Sequence, residues 1–127
     1  MLPIESYAGD APRLDQHLGA ALLAERLGFV SLGIRDVPLR EPAFGDVGQL
    51  FDPWVYLGFL AAHTSRITLL TTSIVLPIRH PVHTAKAASS VDQLSGGRLV
   101  LGVAGGDRAS EFPAFGINAS QRGELLR

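Results

Sequence analysis

The stretch TTSIVLPIRHPVHTAKAASSVDQLSGGRLVLGVAGGD, running from Thr71 to Asp107, constrains the fold more than any other part of the chain. An apolar run leads to His80-Pro81, which opens a segment with Ala87, Ala88, Val91 and Leu94 at helical spacing. Gly96-Gly97 then stops the helix, and Arg98 opens a second apolar run, LVLGV, that ends in glycines. Neither run alternates polar and apolar residues, so both are expected to be strands covered on both faces. Two parallel strands need a crossover of a dozen or more residues, and the intervening helix supplies one. The reading is a parallel βαβ unit whose glycines lie at the carboxyl end of a strand, where such sheets bind ligands.

The rest of the chain repeats this punctuation. Pro12 precedes Leu14, Leu18, Ala21 and Leu22, which share a helical face, and Gly28 stops that helix. Phe29–Ile34 is a short β-forming run that closes on Arg35-Asp36 and feeds a loop containing Pro38, Pro42, Gly45 and Gly48. Asp52 followed by Pro53 has the form of an N-cap and a first-turn proline, with Trp54, Leu57, Leu60 and Ala61 continuing a helix to about Thr64. Arg66 opens a strand expected over Ile67–Leu76. Beyond Gly106 a loop with a helical turn near Glu111 precedes a helix from about Ser120. Successive strands recur at roughly the thirty-residue interval of a (β/α)8 barrel. With Leu2–Glu5 as the stump of a first strand, residues 1–127 are expected to hold about four βα units, the amino-terminal half of a TIM barrel.

Charge and composition remove several function classes. The net charge is -1 and Lys86 is the only lysine, so no basic stripe for nucleic acid is present. The chain has no cysteine, which excludes a disulfide framework, a thiolate nucleophile and a cysteine metal site. No apolar run has the length of a bilayer span and no secretory signal opens the chain, so the expectation is a cytoplasmic protein that does not engage membrane.

Each chemically suggestive group has a structural alternative. GVAGGD does not fit the dinucleotide pattern G-x-G-x-x-G and reads better as the end of a barrel strand. His80 and His83 have a metal-compatible spacing, but no third ligand accompanies them and His80 precedes Pro81 as a cap would; no metal is expected. Ser89 and Ser90 lack a nucleophile elbow and read as helix surface. Phe51, Trp54 and Phe59 read as core. Gly96, Gly97 and Arg98 fall at amino ends of strands, the face that serves stability in barrels. Asp36 admits two readings, a general base at the end of a strand or a local ion pair beside Arg35. Thr71, Thr72 and Ser73 place three hydroxyls in succession within an apolar run, and each needs a partner.

The segment SIVLPIRHPVHTAKAASSVDQLSGGRLVLGVAGGDRASEFPAFG resembles the bacterial luciferase-like flavin-dependent monooxygenase family, which carries a similar LP-x-x-HP helix start, a D-x-(L/M)-S-x-GR turn and a glycine-rich strand end. RDVPLREPAFGDVGQLFDPWVYLGFLAAHTSRI resembles an oxidoreductase branch of the same family. The resemblance implies a flavin-dependent oxidoreductase or monooxygenase that holds FMN, or alternatively a deazaflavin, together with a small organic substrate at the barrel mouth. It implies cofactor contacts at Thr71, Thr72, Ser73, Ala104, Gly105 and Gly106 and a catalytic role for Asp107 at the mouth, to which the general-base reading of Asp36 adds a second catalytic candidate. It also implies a bulge with a non-prolyl cis peptide at Thr71–Thr72 or, one residue later, at Thr72–Ser73. Where luciferase-type members carry histidines after the second strand this chain reads Arg35-Asp36, so no imidazole can act there. TIM-barrel phosphate sites usually come from the loops after the seventh and eighth strands, outside these four units, so cofactor affinity is expected to be weak and this chain alone inactive. The alternative to an enzyme is a non-catalytic truncated fragment that self-associates through its incomplete barrel, and on either reading a homo-oligomer is expected, because a half barrel leaves two sheet edges unpaired.

Overall fold

The computed structural model describes residues 16–39 and 51–127. The strand stump expected at Leu2–Glu5, Leu14 of the first helix, and most of the loop after the Phe29–Ile34 run lie outside the described residues. The elements, in chain order, are α1 (His17–Arg26), β1 (Ser31–Ile34), α2 (Pro53–His63), β2 (Thr68–Thr71), β3 (Ile74–Val75), α3 (Pro81–Ser95), β4 (Leu99–Val100), β5 (Val103–Ala104) and α4 (Arg122–Leu125). Among the described residues every strand pairing is parallel: β1, β2 and β4 form one sheet in that order, and β3 pairs with β5. The expected α/β alternation with helical crossovers is therefore present.

Helix boundaries follow from capping chemistry. Asp52 Oδ1 accepts hydrogen bonds from the amides of Trp54 and Val55 at 2.9 and 3.2 Å, with Pro53 in the first turn of α2. His80 Nδ1 accepts from the Val82 amide at 3.3 Å, so its ring serves as the N-cap of α3. At the other end of α3, Gly96 takes φ 71° and the Gly97 amide returns to Asp92 O at 2.8 Å, the left-handed stop that only glycine adopts readily.

The main core lies where α2 crosses the sheet. Leu57, Leu60 and Leu69 are fully buried, with Ala21 of α1, Leu32 and Ile34 of β1, Ile67 and Val91 around them, and Phe51, Trp54 and Phe59 packed at its margin. Burial of each large aliphatic side chain contributes about 1.5–3 kcal/mol. Two expected core positions fall outside it. Leu22 is 36% exposed and Leu94 74% exposed. In α3 the buried stripe is Thr84, Ala88, Val91 and Ser95, so Leu94 stands one position off the stripe. A polar residue, Ser95, fills the last buried place because its hydroxyl donates to Asp92 O and accepts from the Arg98 amide, at 3.0 and 3.2 Å.

Arg98 joins three elements at the amino ends of the strands. Its guanidinium donates to Ser95 O, Thr64 Oγ1, Ile67 O, Ala61 O and Thr64 O at 2.7–3.1 Å. These are largely carbonyls that the end of α2 and the approach to β2 leave unpaired, and a planar fork of five donors suits them. The stabilising role expected for this face is what the geometry shows.

Three strand expectations are corrected. The first run forms β1 only over Ser31–Ile34, with Phe29 62% and Val30 82% exposed. The run expected over Ile67–Leu76 is divided into β2 and β3 and closes in a 3-10 turn, Leu76–Ile78. LVLGV is divided into β4 and β5. The register explains the last two interruptions together. Leu70 pairs with Val100 and Ile74 with Val103, so three residues, Thr71, Thr72 and Ser73, oppose two, Leu101 and Gly102. One extra residue is the definition of a β-bulge, which bends the strand and re-aims the side chains that follow. Among the described residues, no helix is long and apolar enough to cross a membrane.

Candidate functional site

The bulge is held by a reciprocal contact. Thr71 Oγ1 donates to Gly102 O at 2.7 Å and accepts from the Gly102 amide at 2.8 Å, replacing ladder bonds that the extra residue removes. A Cβ at Gly102 would run into the Thr71 carbonyl oxygen, so glycine is required there. The Thr72 amide donates to Ile34 O at 2.7 Å, and the peptide bond between Thr72 and Ser73 is cis, the second of the two positions that the family resemblance implied. Thr71 itself is 1% exposed. Its hydroxyl is therefore committed to the neighbouring strand rather than presented to a ligand.

At the carboxyl ends of the strands lies a cavity of about 360 Å³, in the size range of small-molecule sites. Its walls bring together Arg35 and Asp36 after β1, Thr72 and Ser73 of the bulge, Ala104, Gly105, Gly106 and Asp107 at the end of β5, and Arg108 and Glu111 of the following turn. All the site residues named from the sequence converge here except Thr71. Gly106 has φ 82°, and a Cβ on it would lie 2.8 Å from Val75 Cγ1 and 3.0 Å from Phe112 Cζ. Phe112, 1% exposed, packs with Val75 and Ile78 in a second small core that pins the turn carrying Arg108 and Glu111.

The expected local pair between Asp36 and Arg35 is corrected by a long-range one. Arg79 donates from Nε to Asp36 Oδ2 at 2.8 Å and from Nη2 to Asp36 Oδ1 at 2.7 Å, while the Val75 amide also donates to Oδ2 at 3.1 Å. Arg79 further reaches Asp52 Oδ2 from Nη1 and Nη2, both at 3.3 Å. Burial acts to lower the pKa of Arg79, but hydrogen bonds and charge from Asp36, then Asp52, outweigh it and raise the pKa above the usual value. The Asp36 side chain is 1% exposed and fixed on both oxygens. This clamp ties the end of β1 to the segment before α3 and to the cap of α2.

Four wall residues, Arg35, Val75, Arg108 and Glu111, were not among the site residues named from the sequence. Glu111 is 3% exposed, and its Oε1 is buried without a hydrogen-bond partner among the described residues. Burial pushes its pKa up; the Arg108 charge and the Leu39 amide act downward, and the charges of Asp36 and Asp107 act upward. The available signal was a charged residue immediately before the apolar Phe112 in a turn that leaves the glycine-rich strand end, but no periodicity marks such a residue as buried. Asp107, by contrast, is exposed at the cavity rim.

This arrangement has relatives. The chain is 35% identical over 123 residues to an uncharacterized protein of Mycobacterium tuberculosis, covering 85% of this chain and 43% of that protein. It is 32% identical over 103 residues to the alkanal monooxygenase alpha chain of Photorhabdus luminescens, covering 80% of this chain and 28% of that one. Among solved structures it is similar to monooxygenase RslO1 from Streptomyces bottropensis, with TM-score 0.76 and 28% identity over 87% of this chain and 34% of that one. The riboflavin lyase RcaE with modified FMN gives TM-score 0.70 and 25% identity over 90% and 28% of the two chains. The coenzyme F420-dependent tetrahydromethanopterin reductase of Methanopyrus kandleri gives 0.63 and 26% over 82% and 27%. The chain thus spans less than half the length of these relatives, in which the same parallel α/β arrangement forms part of a TIM barrel. The model of the luciferase-like monooxygenase family matches residues 2–127, and the chain belongs to that family.

Proposed function

We propose that this chain supplies the ring-binding wall of a flavin-dependent monooxygenase or oxidoreductase. The observation that carries the reading is the convergence of the bulge, Thr72–Ser73, with the small residues Ala104–Gly106 on one cavity of about 360 Å³ at the carboxyl ends of parallel strands. The residues present fit a planar heteroaromatic ring. Ala104, Gly105 and Gly106 let backbone approach it closely, and the buried Glu111 oxygen offers a polar contact not taken up by the described protein. FMN is the cofactor this reading assigns, with a deazaflavin as the alternative, in keeping with the FMN and F420 named for two of the similar structures. When bound, such a group supplies the redox chemistry itself.

The chain's own residues position and screen. Gly105 and Gly106 set the approach of the backbone, Thr72 and Ser73 line the wall from the neighbouring strand, and Asp107 at the rim is assigned a proton-handling role toward the organic substrate. Asp36 is assigned, with Arg79, to hold the β1 end in place so that Arg35 is presented to the cavity. Residues 1–127 are read as one partial barrel domain of about four βα units working in the cytoplasm. The test is titration of oxidised FMN with the chain, read by quenching of flavin fluorescence. Saturable quenching that is lost in Gly105→Trp supports the reading, and no quenching at millimolar chain overturns it.

A second reading has its own observation. Val100, Leu101 and Val103 are about half exposed, at 50%, 45% and 46%, beside β4, which has one hydrogen-bonded neighbour among the described strands. Open strand edges with apolar side chains favour pairing with another copy. A non-catalytic, self-associating chain follows from this, and sedimentation at micromolar concentration distinguishes it: a homo-oligomer that binds no flavin supports it, and a monomer excludes it.

A further inference from the structure

Glu111 combines three properties at the cavity wall. Its backbone is fixed, because its amide donates to Arg108 O and its carbonyl accepts from the Ala114 amide, both at 3.1 Å. The next residue, Phe112, is anchored at 1% exposure against Val75 and Ile78. The residue is 3% exposed, yet its buried Oε1 has no hydrogen-bond partner among the described residues, while the residue lines the same cavity as Ser73, Gly105 and Gly106. A buried polar atom left unpaired is costly, so a partner delivered by a ligand recovers that free energy on binding.

We propose that Glu111 is a ligand-recognition residue of this cavity, donating a hydrogen bond as a carboxylic acid to an acceptor atom, a ring carbonyl oxygen or an unprotonated ring nitrogen, of a bound flavin-type heteroaromatic ring. This rests on the flavin reading given above and adds to it a named contact and a named protonation state. Donation rather than acceptance follows from the surroundings. Asp36 faces the cavity from the end of β1 and Asp107 from the end of β5, and a third ionised carboxylate among them is disfavoured by burial and by like charge. Opposing them are Arg108 in the same turn, the Leu39 amide that donates to the Glu111 carboxyl, and Arg35 after β1, while the charge of Arg79 is directed to Asp36 and Asp52. The upward shift of the Glu111 pKa, led by burial, agrees with this balance.

A donor that must stay protonated couples ring binding to pH. Affinity is full below the carboxyl pKa in the free chain and falls as pH rises through it, because the ionised group must take up a proton on binding.

The test uses the full chain and oxidised FMN, with the dissociation constant read from flavin fluorescence between pH 5 and pH 9 and thermal melts run on every variant. Glu111→Ala is expected to weaken binding about tenfold, the size of one buried hydrogen bond. Glu111→Gln keeps a donor of the same shape, so it should bind within about threefold of wild type at low pH and lose the pH dependence. Glu111→Ala binding as tightly as wild type overturns the proposal, as does a wild-type pH profile retained in Glu111→Gln. A slope that disappears in Asp107→Asn while persisting in Glu111→Gln also overturns it and assigns the proton to the rim. Should Glu111→Ala melt without a native baseline, the Glu111→Gln profile decides. Absence of FMN binding by wild type overturns the flavin reading and this proposal with it, whereas binding that is indifferent to Glu111 overturns this proposal alone.

Discussion

Arg79 holds both carboxylate oxygens of Asp36, at 2.8 and 2.7 Å, across 43 residues of chain. Because the Asp36 side chain is only 1% exposed, removal of the guanidinium strands a buried charge rather than releasing it to water. Arg79→Ala is therefore expected to destabilise the chain by about 3–5 kcal/mol, and Asp36→Asn by less, since Asn still accepts from the Val75 amide. Urea unfolding of the two variants and of the double variant measures this; the pair is coupled if the double variant loses less than the sum.

Two glycine-to-alanine changes should differ in sign. Gly58 lies inside α2 with nothing within 4 Å of its would-be Cβ, so Gly58→Ala should stabilise by about 0.5–1 kcal/mol. Gly102→Ala drives a Cβ into the Thr71 carbonyl and must displace the bulge, with an expected loss of about 2–4 kcal/mol. Equal effects in thermal melts would show that the strand crossing at Gly102 is looser than the geometry described.

Glu25 gives a pH dependence of known sign. Its Oε1 accepts from the amides of Ser65, Arg66 and Ile67 at 2.9, 2.7 and 2.9 Å, and these bonds, led by Ile67 and Arg66, bring its pKa down from 4.5 to about 2. The folded value lies below the unfolded one, so the contribution is full above pH 4.5 and is lost as pH falls from there toward 2. Stability against urea should drop over that window in wild type and less steeply in Glu25→Gln. Identical slopes would remove Glu25 from the account.

Arg98 should tolerate no conservative replacement. Lysine keeps the charge but offers three donors from one atom, which cannot reach Ala61 O, Thr64, Ile67 O and Ser95 O together. Arg98→Lys is expected to destabilise by about 2–3 kcal/mol and Arg98→Ala by slightly more. A Lys variant as stable as wild type would mean that charge, not the fork geometry, is what the α2 end requires.

What the sequence determined by itself was local. Asp52-Pro53, His80-Pro81 and Gly96-Gly97 fix where α2 and α3 start and stop, because capping is settled by neighbours within a few residues. The same holds for the parallel α/β class, which follows from the alternation of apolar runs and crossover helices, and for the collection of Ala104, Gly105, Gly106 and Asp107, which are consecutive in the chain. The hydroxyl run Thr71–Ser73 announced an irregular strand without saying how the irregularity would be met. Tertiary structure decided that part. Thr71 turned its hydroxyl onto Gly102, Asp36 found Arg79 rather than the adjacent Arg35, Leu94 was left in solvent while Ser95 went inside, and Glu111 was buried beside the cavity. Each of these depends on which residue a distant strand or helix brings within 3 Å, and on whether one extra residue in a bulge shifts the register. Neither is a property of any short window of sequence, because a shift of one residue reverses which side chains face the cavity.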